Sequence, residues 1–398
     1  LARSLRFEIQ GSGKTVQDRG RSALCTAAPA GYADLMAACS RITRGAPVPG
    51  PFLALLLLAT LLPTTALTRA WQPAHYRCPR TDQPPRIDGQ LDDPAWRRAP
   101  WTTDFVDIEG ARRPVTPRFR TRAKLLWDEQ ALYVAAALEE PHVWGTLTGR
   151  DAVIYEDNDF EVFLDPDGDH HLYGELEINA LGTEWDLLLV RPYRDGGPAL
   201  DGWTMVGLET AVHVDGTLND PSDTDRGWSV EMAIPWDALR DLARDRACPP
   251  EPGDWWRLNF SRVQWEHRVE DGRYVKTPVP GRGWKGEDNW VWTPQGVVAM
   301  HQPETWGFVS FVADAADVAP DPRDALRPVY ELLWPVYTAQ RAHREAHGEP
   351  ARRLADLTAL PSAVRGELVA RGARLAASRR SWSATLVIEG RRWLVDHE

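Results

Sequence analysis

Three polar side chains stand at positions from which they could bind the hydroxyl groups of a ligand. Glu161, Glu177 and Asn179 fall in two runs, 159–165 and 175–179, in which apolar and polar residues largely alternate. Residues two positions apart in a strand point to the same face, and paired strands align their faces. Carboxylate and amide groups can form paired hydrogen bonds with vicinal hydroxyls. The pattern predicts a hydroxyl-binding face, and the alternative is a solvated outer face of a sheet.

The segment DPDGD, residues 165–169, could hold a metal ion. Asp165, Asp167 and Asp169 place carboxylates at alternate positions around a glycine turn. Hard cations such as calcium bind carboxylate oxygens, although the segment lacks the bidentate glutamate that an EF-hand requires. We expect a structural calcium ion here, or else a polar turn without an ion.

The N-terminal region has the order of parts found in a secretory signal peptide. Arg41 and Arg44 precede an apolar run over 52–62, and small residues follow this run. The run is shorter than the roughly 20 residues that span a bilayer. We therefore predict a signal peptide over 36–70, a secreted, periplasmic or cell-surface location, and no transmembrane span in the mature chain. Since signal peptides stand at the start of a chain, we expect 1–35 to precede the true start and to be untranslated.

Two cysteines, Cys78 and Cys248, follow the predicted signal peptide. An exported chain folds in an oxidising compartment, where two cysteines can pair. A bridge that closes so long a loop restricts the unfolded chain and contributes about 4–5 kcal/mol. We expect a disulfide, and the alternative is that both thiols are free and buried.

The composition argues against one class of partner. The chain has 398 residues and a formal net charge of -11. Because proteins bind nucleic acid through clustered cationic side chains that release counterions, we expect no nucleic-acid partner. The chain contains 19 tryptophans, an unusually high number for 398 residues. Indole rings fill cores and also stack on the flat C–H face of a ring-shaped ligand, so the count leaves both roles open.

Short β-prone runs separated by turn signals occupy most of the chain from residue 86 to 312. The runs at 159–165, 175–179 and 184–189 follow one another as a meander. Many short strands of this kind predict an all-β fold, specifically an antiparallel β-sandwich of the jelly-roll kind, over 71–312.

The composition changes after the last predicted strand. Residues 313–327 are polar and contain prolines, which is typical of a linker. The segment 328–398 begins with helical spacing and ends with two apolar runs around Glu389 and Gly390. We expect a small C-terminal appendage made of a helix and a hairpin.

Five blocks of sequence occur in order between about 76 and 312 and share a resemblance. They are RIDGQLDDPAW (86–96), KLLWDEQALYVAAALEEPHVW (124–144), YEDNDFEVFLDPDGDHHLYGELEINALGTEWDL (155–187), GWSVEMAIPWDAL (227–239) and NWVWTPQGVVAMHQPETWGFVSF (289–311). Together these blocks resemble the family 9 carbohydrate-binding modules, especially a bacterial branch found in exported proteins. Such modules are jelly-roll sandwiches that hold the end of a glucose- or xylose-based chain between two tryptophans, with calcium ions bracing their loops. The resemblance implies an oligosaccharide or polysaccharide ligand.

The resemblance also implies individual ligand contacts. The two sandwiching tryptophans correspond to Tyr155, which can stack, and to Met300, which offers no flat ring. Glu161 matches a carboxylate that receives sugar hydroxyls, and Asn179 matches a polar position on the neighbouring strand. Glu177 stands where the family's arginine is expected, which reverses the local charge and points to a ligand other than plain glucose or cellobiose.

Two tryptophans could replace the missing stacking surface. Trp144 and Trp292 lie within the resembling blocks, and each is a candidate platform for a sugar ring. The alternative for either ring is core packing.

The leading hypothesis is an exported, non-catalytic protein that binds carbohydrate in support of carbohydrate catabolism. A second hypothesis is a glycoside hydrolase that uses Glu161 and Glu177, which requires carboxyl groups about 5 Å or about 6.5–9.5 Å apart. No hydrolase motif accompanies these residues. A third is a surface or assembly scaffold in which 328–398 binds a protein partner.

Overall fold

The computed structural model describes residues 71–396, so the predicted signal peptide (36–70) and the segment before it lie outside the described part of the chain. In chain order the strands are β1 His75–Pro79, β2 Val106–Asp107, β3 Thr121–Trp127, β4 Ala131–Glu139, β5 Asp159–Asp165, β6 Tyr173–Asn179, β7 Glu184–Leu189, β8 Ala199–Leu200, β9 Glu209–Asp215, β10 Gly227–Pro235, β11 Trp255–Gln264, β12 His267–Glu270, β13 Arg273–Lys276, β14 Asp288–Val291, β15 Gly307–Val312, β16 Arg374–Ala377, β17 Trp382–Ile388 and β18 Arg391–Asp396. The α-helices are α1 Trp236–Ala243, α2 Pro322–His347 and α3 Ser362–Ala370.

Two sheets form a sandwich. The larger sheet has the order β1-β15-β11-β5-β6-β7-β8, with β14 beside β11 and β2 beside β14. The smaller sheet has the order β3-β4-β10-β9. The strands that carry the candidate residues, β5, β6, β7 and β11, pair antiparallel, whereas β1 and β15 pair parallel. The predicted antiparallel sandwich is therefore confirmed.

The core lies between the two sheets and follows the predicted alternation. Phe160, Val162 and Leu164 of β5 are fully buried there, together with Val134 of β4 and Val230 of β10 from the facing sheet. Burying one such side chain stabilises a fold by about 1.5–3 kcal/mol. This burial fixes which way β5 faces, so the intervening residues of β5 must point to the opposite face of the larger sheet.

The C-terminal region packs against the larger sheet, where Phe308 of β15 is buried in one cluster with residues of α2, β17 and β18. The Tyr330 ring of α2 stacks on Trp71 with ring centroids 4.3 Å apart, and its hydroxyl lies 2.6 Å from Nε2 of His170. Helix α2 begins at Pro322, inside the segment 313–327 that the sequence predicts to be a linker, because Asp321 caps its first turn through the backbone N–H of Arg323.

The last three described strands, β16, β17 and β18, form a small antiparallel sheet. The predicted hairpin around Glu389 and Gly390 corresponds to β17 and β18, and both turn residues have positive φ. Strand β16 adds to this hairpin from the other side of β17. The helix-plus-hairpin prediction is confirmed, with a second helix, α3, and an extra strand, β16, that the sequence pattern did not indicate.

The predicted disulfide is not formed. Cys78 and Cys248 are both free cysteines. Cys78 is enclosed in the core of the sandwich, and the thiol of Cys248 is directed at the carbonyl oxygen of Trp236, 3.3 Å away. Each side chain is therefore held by its own surroundings rather than by the other cysteine.

No helix within residues 71–396 combines the length and the apolar character needed to cross a membrane.

Candidate ligand-binding site

The register of the larger sheet brings two predicted residues side by side. Glu161 of β5 pairs directly with Glu177 of β6, and Glu177 pairs in turn with Trp185 of β7. On the other side of β5, Ser261 of β11 pairs with Glu161. These four residues form a row across the face of the sheet that points away from the sandwich core, as side-chain alternation requires.

Carboxyl groups crowd around this row. Asp159 and Glu175 lie on the same face of β5 and β6 as the paired glutamates. Asp159, Glu161, Glu175 and Glu177 are all buried, with at most 4% of any residue exposed. The sequence pattern predicted the shared face but not its burial, so the alternative of a solvated outer face is wrong.

Burial sets the electrostatics of these acids. Removal from water disfavours the charged form and raises the pKa of Glu161 to about 7. The same cause raises the pKa of Asp159, Glu175 and Glu177, and repulsion from Glu161 adds to the rise in all three. The groups therefore resist being ionised together.

Some polar atoms of this surface have no hydrogen-bond partner within the described residues. They are Oδ2 of Asp159, Oε2 of Glu161, Oγ of Ser261 and Nε1 of Trp185. Unsatisfied buried polar atoms cost free energy, and in native proteins they often mark a place where a ligand, an ion or water binds. Sequence reasoning missed Ser261 and Trp185. The parity of Trp185 within its alternating run was the available signal, because it places the ring on the same side as Glu177.

Tyr155 lies at the edge of the carboxylate row. Its backbone N–H donates to Oε2 of Glu177 at 2.9 Å, which ties the ring position to the row. Its ring centroid is 6.3 Å from that of Trp185, and both side chains are partly exposed. Nζ of Lys285 lies 5.0 Å from the centroid of the Tyr155 ring. Two aromatic rings and a cationic group thus border the buried acids.

Asn179 is buried and braces a loop. Its amide nitrogen donates to the carbonyl oxygen of Leu147 at 2.9 Å and to Asp157 at 3.0 Å. Its amide oxygen accepts from the backbone N–H groups of Leu181 and Thr183. These bonds occupy both donors and both lone pairs of the amide, so Asn179 positions the loop and has nothing left for a direct ligand contact.

The other predicted stacking residues are core side chains. Trp292 is 4% exposed within the sandwich core, and a Cβ at Gly307 would collide with its ring. Trp144 is 3% exposed and packs with Val263 and Trp265. A buried ring cannot cover a ligand face. The prediction that Trp144 and Trp292 stack on a sugar is therefore wrong, and both rings pack in the core.

Met300 also lies inside the protein. It is buried in a cluster with Phe163 and Trp306, on the outer side of the larger sheet. Its carbonyl oxygen accepts the indole N–H of Trp306 at 2.8 Å. The second stacking position of the resembled family therefore supplies packing in this chain, and the ring of Trp185 lies 6.3 Å from that of Tyr155.

The aspartates of the acidic turn come together as predicted, but their oxygens already have partners. Both oxygens of Asp165 accept backbone N–H groups, and Nη1 of Arg244 lies 2.6 Å from Oδ2 of Asp169 and 3.7 Å from Oδ2 of Asp167. A guanidinium thus supplies positive charge where the sequence predicted calcium. These residues fit a self-contained turn better than a cation site, and calcium at this turn stays a prediction.

Two surface cavities lie apart from these residues. One, of about 410 Å³, is bordered by Arg122, His213 and Trp228. The other, of about 670 Å³, is bordered by His75, Trp101 and the edge of Trp292. Neither cavity is lined by Tyr155 or by the carboxylate row.

Comparisons with known proteins agree with the sequence resemblance. Residues 87–248 match a family model described as carbohydrate family 9 binding domain-like. Endo-1,4-beta-xylanase C of Paenibacillus barcinonensis is 33% identical over 81 residues, which is 20% of this chain and 6% of that enzyme. The chain therefore matches only a small part of the xylanase.

Two solved structures are also similar to part of the chain. A family 9 module of Caldicellulosiruptor kristjanssonii in complex with cellotriose is 17% identical, with a TM-score of 0.37, and the match covers 63% of this chain and 100% of the module. The glucose complex of a family 9 module from the same organism is 17% identical, with a TM-score of 0.38, and covers 62% and 100%.

Proposed function

We propose that this protein, which contains a family 9 carbohydrate-binding domain-like region, binds an oligosaccharide or polysaccharide. The proposed site is the outer face of β5, β6 and β7. The observation that carries this proposal is the position of two partly exposed rings, Tyr155 and Trp185, beside the paired carboxyl groups of Glu161 and Glu177. Sugars present a C–H face and a rim of hydroxyls, and this surface offers a complement to both.

The rings supply the apolar part of the contact. Tyr155 and Trp185 are 6.3 Å apart at their centroids, and their planes are inclined by 36°. The two rings are inclined to each other and do not lie parallel on opposite sides of a ligand. A pyranose ring can stack on one of them while its edge contacts the other.

The polar groups supply orientation. Oε2 of Glu161, Oγ of Ser261 and Nε1 of Trp185 lack hydrogen-bond partners within the described residues, and they include acceptors and donors. Sugar hydroxyls both donate and accept, so they can satisfy this set. A ligand that satisfies buried polar groups recovers the free energy that their isolation costs.

A hydrolytic role for the same glutamates is less well supported. The nearest oxygens of Glu161 and Glu177 lie within 4.8 Å of each other, a separation that approaches that of a retaining pair. Such a pair needs one ionised carboxylate beside one protonated acid. Here burial raises the pKa of both groups, so the surroundings do not favour an ionised nucleophile.

The proposal includes an exported location and a supporting role in carbohydrate catabolism. The leader predicted over 36–70 supports export. A binding module that holds a polymer near hydrolytic partners raises the local substrate concentration without performing chemistry itself.

Isothermal titration of the purified chain with cello-, xylo- and manno-oligosaccharides tests the proposal, with cellotriose first. We expect binding heat with at least one series and about a tenfold loss of affinity in Tyr155→Ala, because one aromatic contact contributes about 0.5–1.5 kcal/mol beyond its buried area.

The matched control for this variant is Trp101→Ala. Trp101 is also partly exposed, but it lies under Arg122 and Lys124 on a different surface. Trp101→Ala should leave the affinity unchanged. Absence of heat with every oligosaccharide, or equal losses in the two variants, would contradict the proposal.

A further inference from the structure

We propose that the carboxyl groups of Asp159, Glu161 and Glu177 bind a divalent cation of the calcium type. The three residues lie on paired strands β5 and β6 and converge on one point of the outer sheet face. The cation would use carboxyl oxygens that the proposed sugar site also uses, and its binding is measured without any sugar present.

The geometry fits one ion. An oxygen from each of the three residues lies within 4.8 Å of the oxygens from the other two. Calcium is bound by oxygens at about 2.3–2.6 Å, so two ligands of the same ion are at most about 5 Å apart. All three pairwise separations fall inside this limit, and only carboxylate oxygens are required.

The unpartnered atoms of this cluster point independently to a ligand. Asp159 is 0% exposed and Glu161 is 4% exposed, yet Oδ2 of Asp159 and Oε2 of Glu161 have no hydrogen-bond partner within residues 71–396. Oδ1 of Asp159 accepts the backbone N–H of Val263 at 2.9 Å, so only single oxygens lack a partner. Such a buried oxygen is costly, and proteins normally pair a buried charge with a cation or a metal ion. An ion between these oxygens removes this cost.

Among the described residues, none of the three acids takes part in an ion pair with lysine, arginine or histidine. Arg262 interacts electrostatically with Asp159, but its guanidinium pairs with Glu140. Lys285 approaches the Tyr155 ring, but its ammonium group pairs with Glu156. The acidic turn at 165–169 differs in this respect, because Arg244 already pairs with Asp169.

Glu177 brings a third carboxylate to this point. A bound cation would balance the charge that Asp159, Glu161 and Glu177 concentrate there.

Calorimetric titration of the metal-free full chain with CaCl₂, and in parallel with MgCl₂, tests the inference at pH 8. We expect one calcium ion to bind and at least a tenfold loss of calcium affinity in Glu177→Gln. Glu161→Gln serves as a second variant with the same expectation. Glutamine is close to glutamate in size and shape, and in Glu177→Gln its amide oxygen can still accept the N–H of Tyr155, so both variants should stay folded by circular dichroism.

The control variant is Asp167→Asn, in the other group of aspartates. It should leave calcium affinity within about twofold of the wild type, since Arg244 already pairs with Asp169 and lies 3.7 Å from Oδ2 of Asp167. No calcium heat with the wild type overturns the inference, as does an undiminished affinity in Glu177→Gln or a loss confined to Asp167→Asn.

The two proposals can fail separately. Calcium binding without any oligosaccharide heat leaves the cation site standing and removes the sugar site. Oligosaccharide binding by a protein that shows no calcium heat does the reverse.

Discussion

Glu161 and Glu177 face each other as a directly paired couple across β5 and β6, and they are 4% and 1% exposed. Two like charges in direct cross-strand contact destabilise a sheet, and burial increases the cost. Natural proteins keep such arrangements where function requires them. This couple lies beside the rings of Tyr155 and Trp185, where we propose that a sugar binds.

Neutralising one member of the couple should stabilise the metal-free protein. In EDTA at pH 8 we expect Glu161→Gln to raise the thermal unfolding midpoint by at least about 2 °C, since roughly 1 kcal/mol shifts the midpoint of a domain of this size by about 2–4 °C. The comparison variant is Asp186→Asn, which removes a buried carboxylate that pairs with Arg150. Its midpoint should fall. A lowered midpoint in Glu161→Gln would show that the glutamate is well compensated in the protein.

Removing the second ring should weaken sugar binding without unfolding the protein. We expect Trp185→Ala to lose about tenfold in affinity and Trp185→Phe to keep most of it, because phenylalanine retains a stacking face. Calorimetric titration with the best-binding oligosaccharide measures both. If the two variants bind alike, the ring of Trp185 does not contact the ligand.

A buried ion pair near the site should be essential for stability. Oε2 of Glu140 lies 2.7 Å from Nη2 of Arg262, and neither side chain is more than 1% exposed. Removing one partner leaves an uncompensated charge, so Glu140→Ala should lower the free energy of unfolding by about 3–5 kcal/mol in urea titrations.

The control for the ion pair is Glu270→Ala, which breaks the exposed pair of Glu270 and Arg268. Exposed ion pairs contribute about 0–1 kcal/mol, so the free energy of unfolding of this variant should stay close to that of the wild type. Similar losses of unfolding free energy in Glu140→Ala and Glu270→Ala would mean that the buried pair contributes no more to stability than the exposed one.

His301 should make the protein sensitive to acid. Burial lowers the pKa of His301 to about 3, from 6.5 in the unfolded chain, and Arg194 adds to the effect. Between these values the unfolded chain takes up a proton that the folded chain does not. The free energy of unfolding therefore falls as the pH drops from 6.5 towards 3, by at most about 1.4 kcal/mol per pH unit from this group.

Urea titrations at pH 6.5, 5.5 and 4.5 measure this contribution as a difference between proteins. His301→Gln should lose less stability over this range than the wild type does. The exposed His347 provides the control, because His347→Gln should follow the wild type. Parallel pH profiles for all three proteins would exclude the predicted role of His301.

The sequence predicted much of the fold because alternation decides orientation. In β5 the apolar residues Phe160, Val162 and Leu164 all enter the core, and this fixed the direction of Glu161 correctly. The same reasoning placed Glu177 on the shared face. The antiparallel sandwich and the C-terminal hairpin followed from the same kind of pattern.

Burial of the polar face could not be predicted, because it depends on loops that pack over the sheet from distant parts of the chain. Asn179 is the clearest case, since its amide bonds to Leu147, 32 residues away. Trp144 and Trp292 show a second limit. Periodicity assigns a ring to a face, but it does not distinguish a ring that meets a ligand from one that fills a core.

The central claim is that a sugar contacts the ring of Trp185 beside the paired glutamates, and the indole N–H signals of ¹⁵N-labelled protein test it most directly. Nε1 of Trp185 and Nε1 of Trp144 both lack hydrogen-bond partners within the described residues, so the two signals form a matched pair. On titration with the oligosaccharide that gives the largest heat, the account predicts a saturable shift of the Trp185 signal and an unchanged Trp144 signal. An unmoved Trp185 signal at saturating ligand would contradict it.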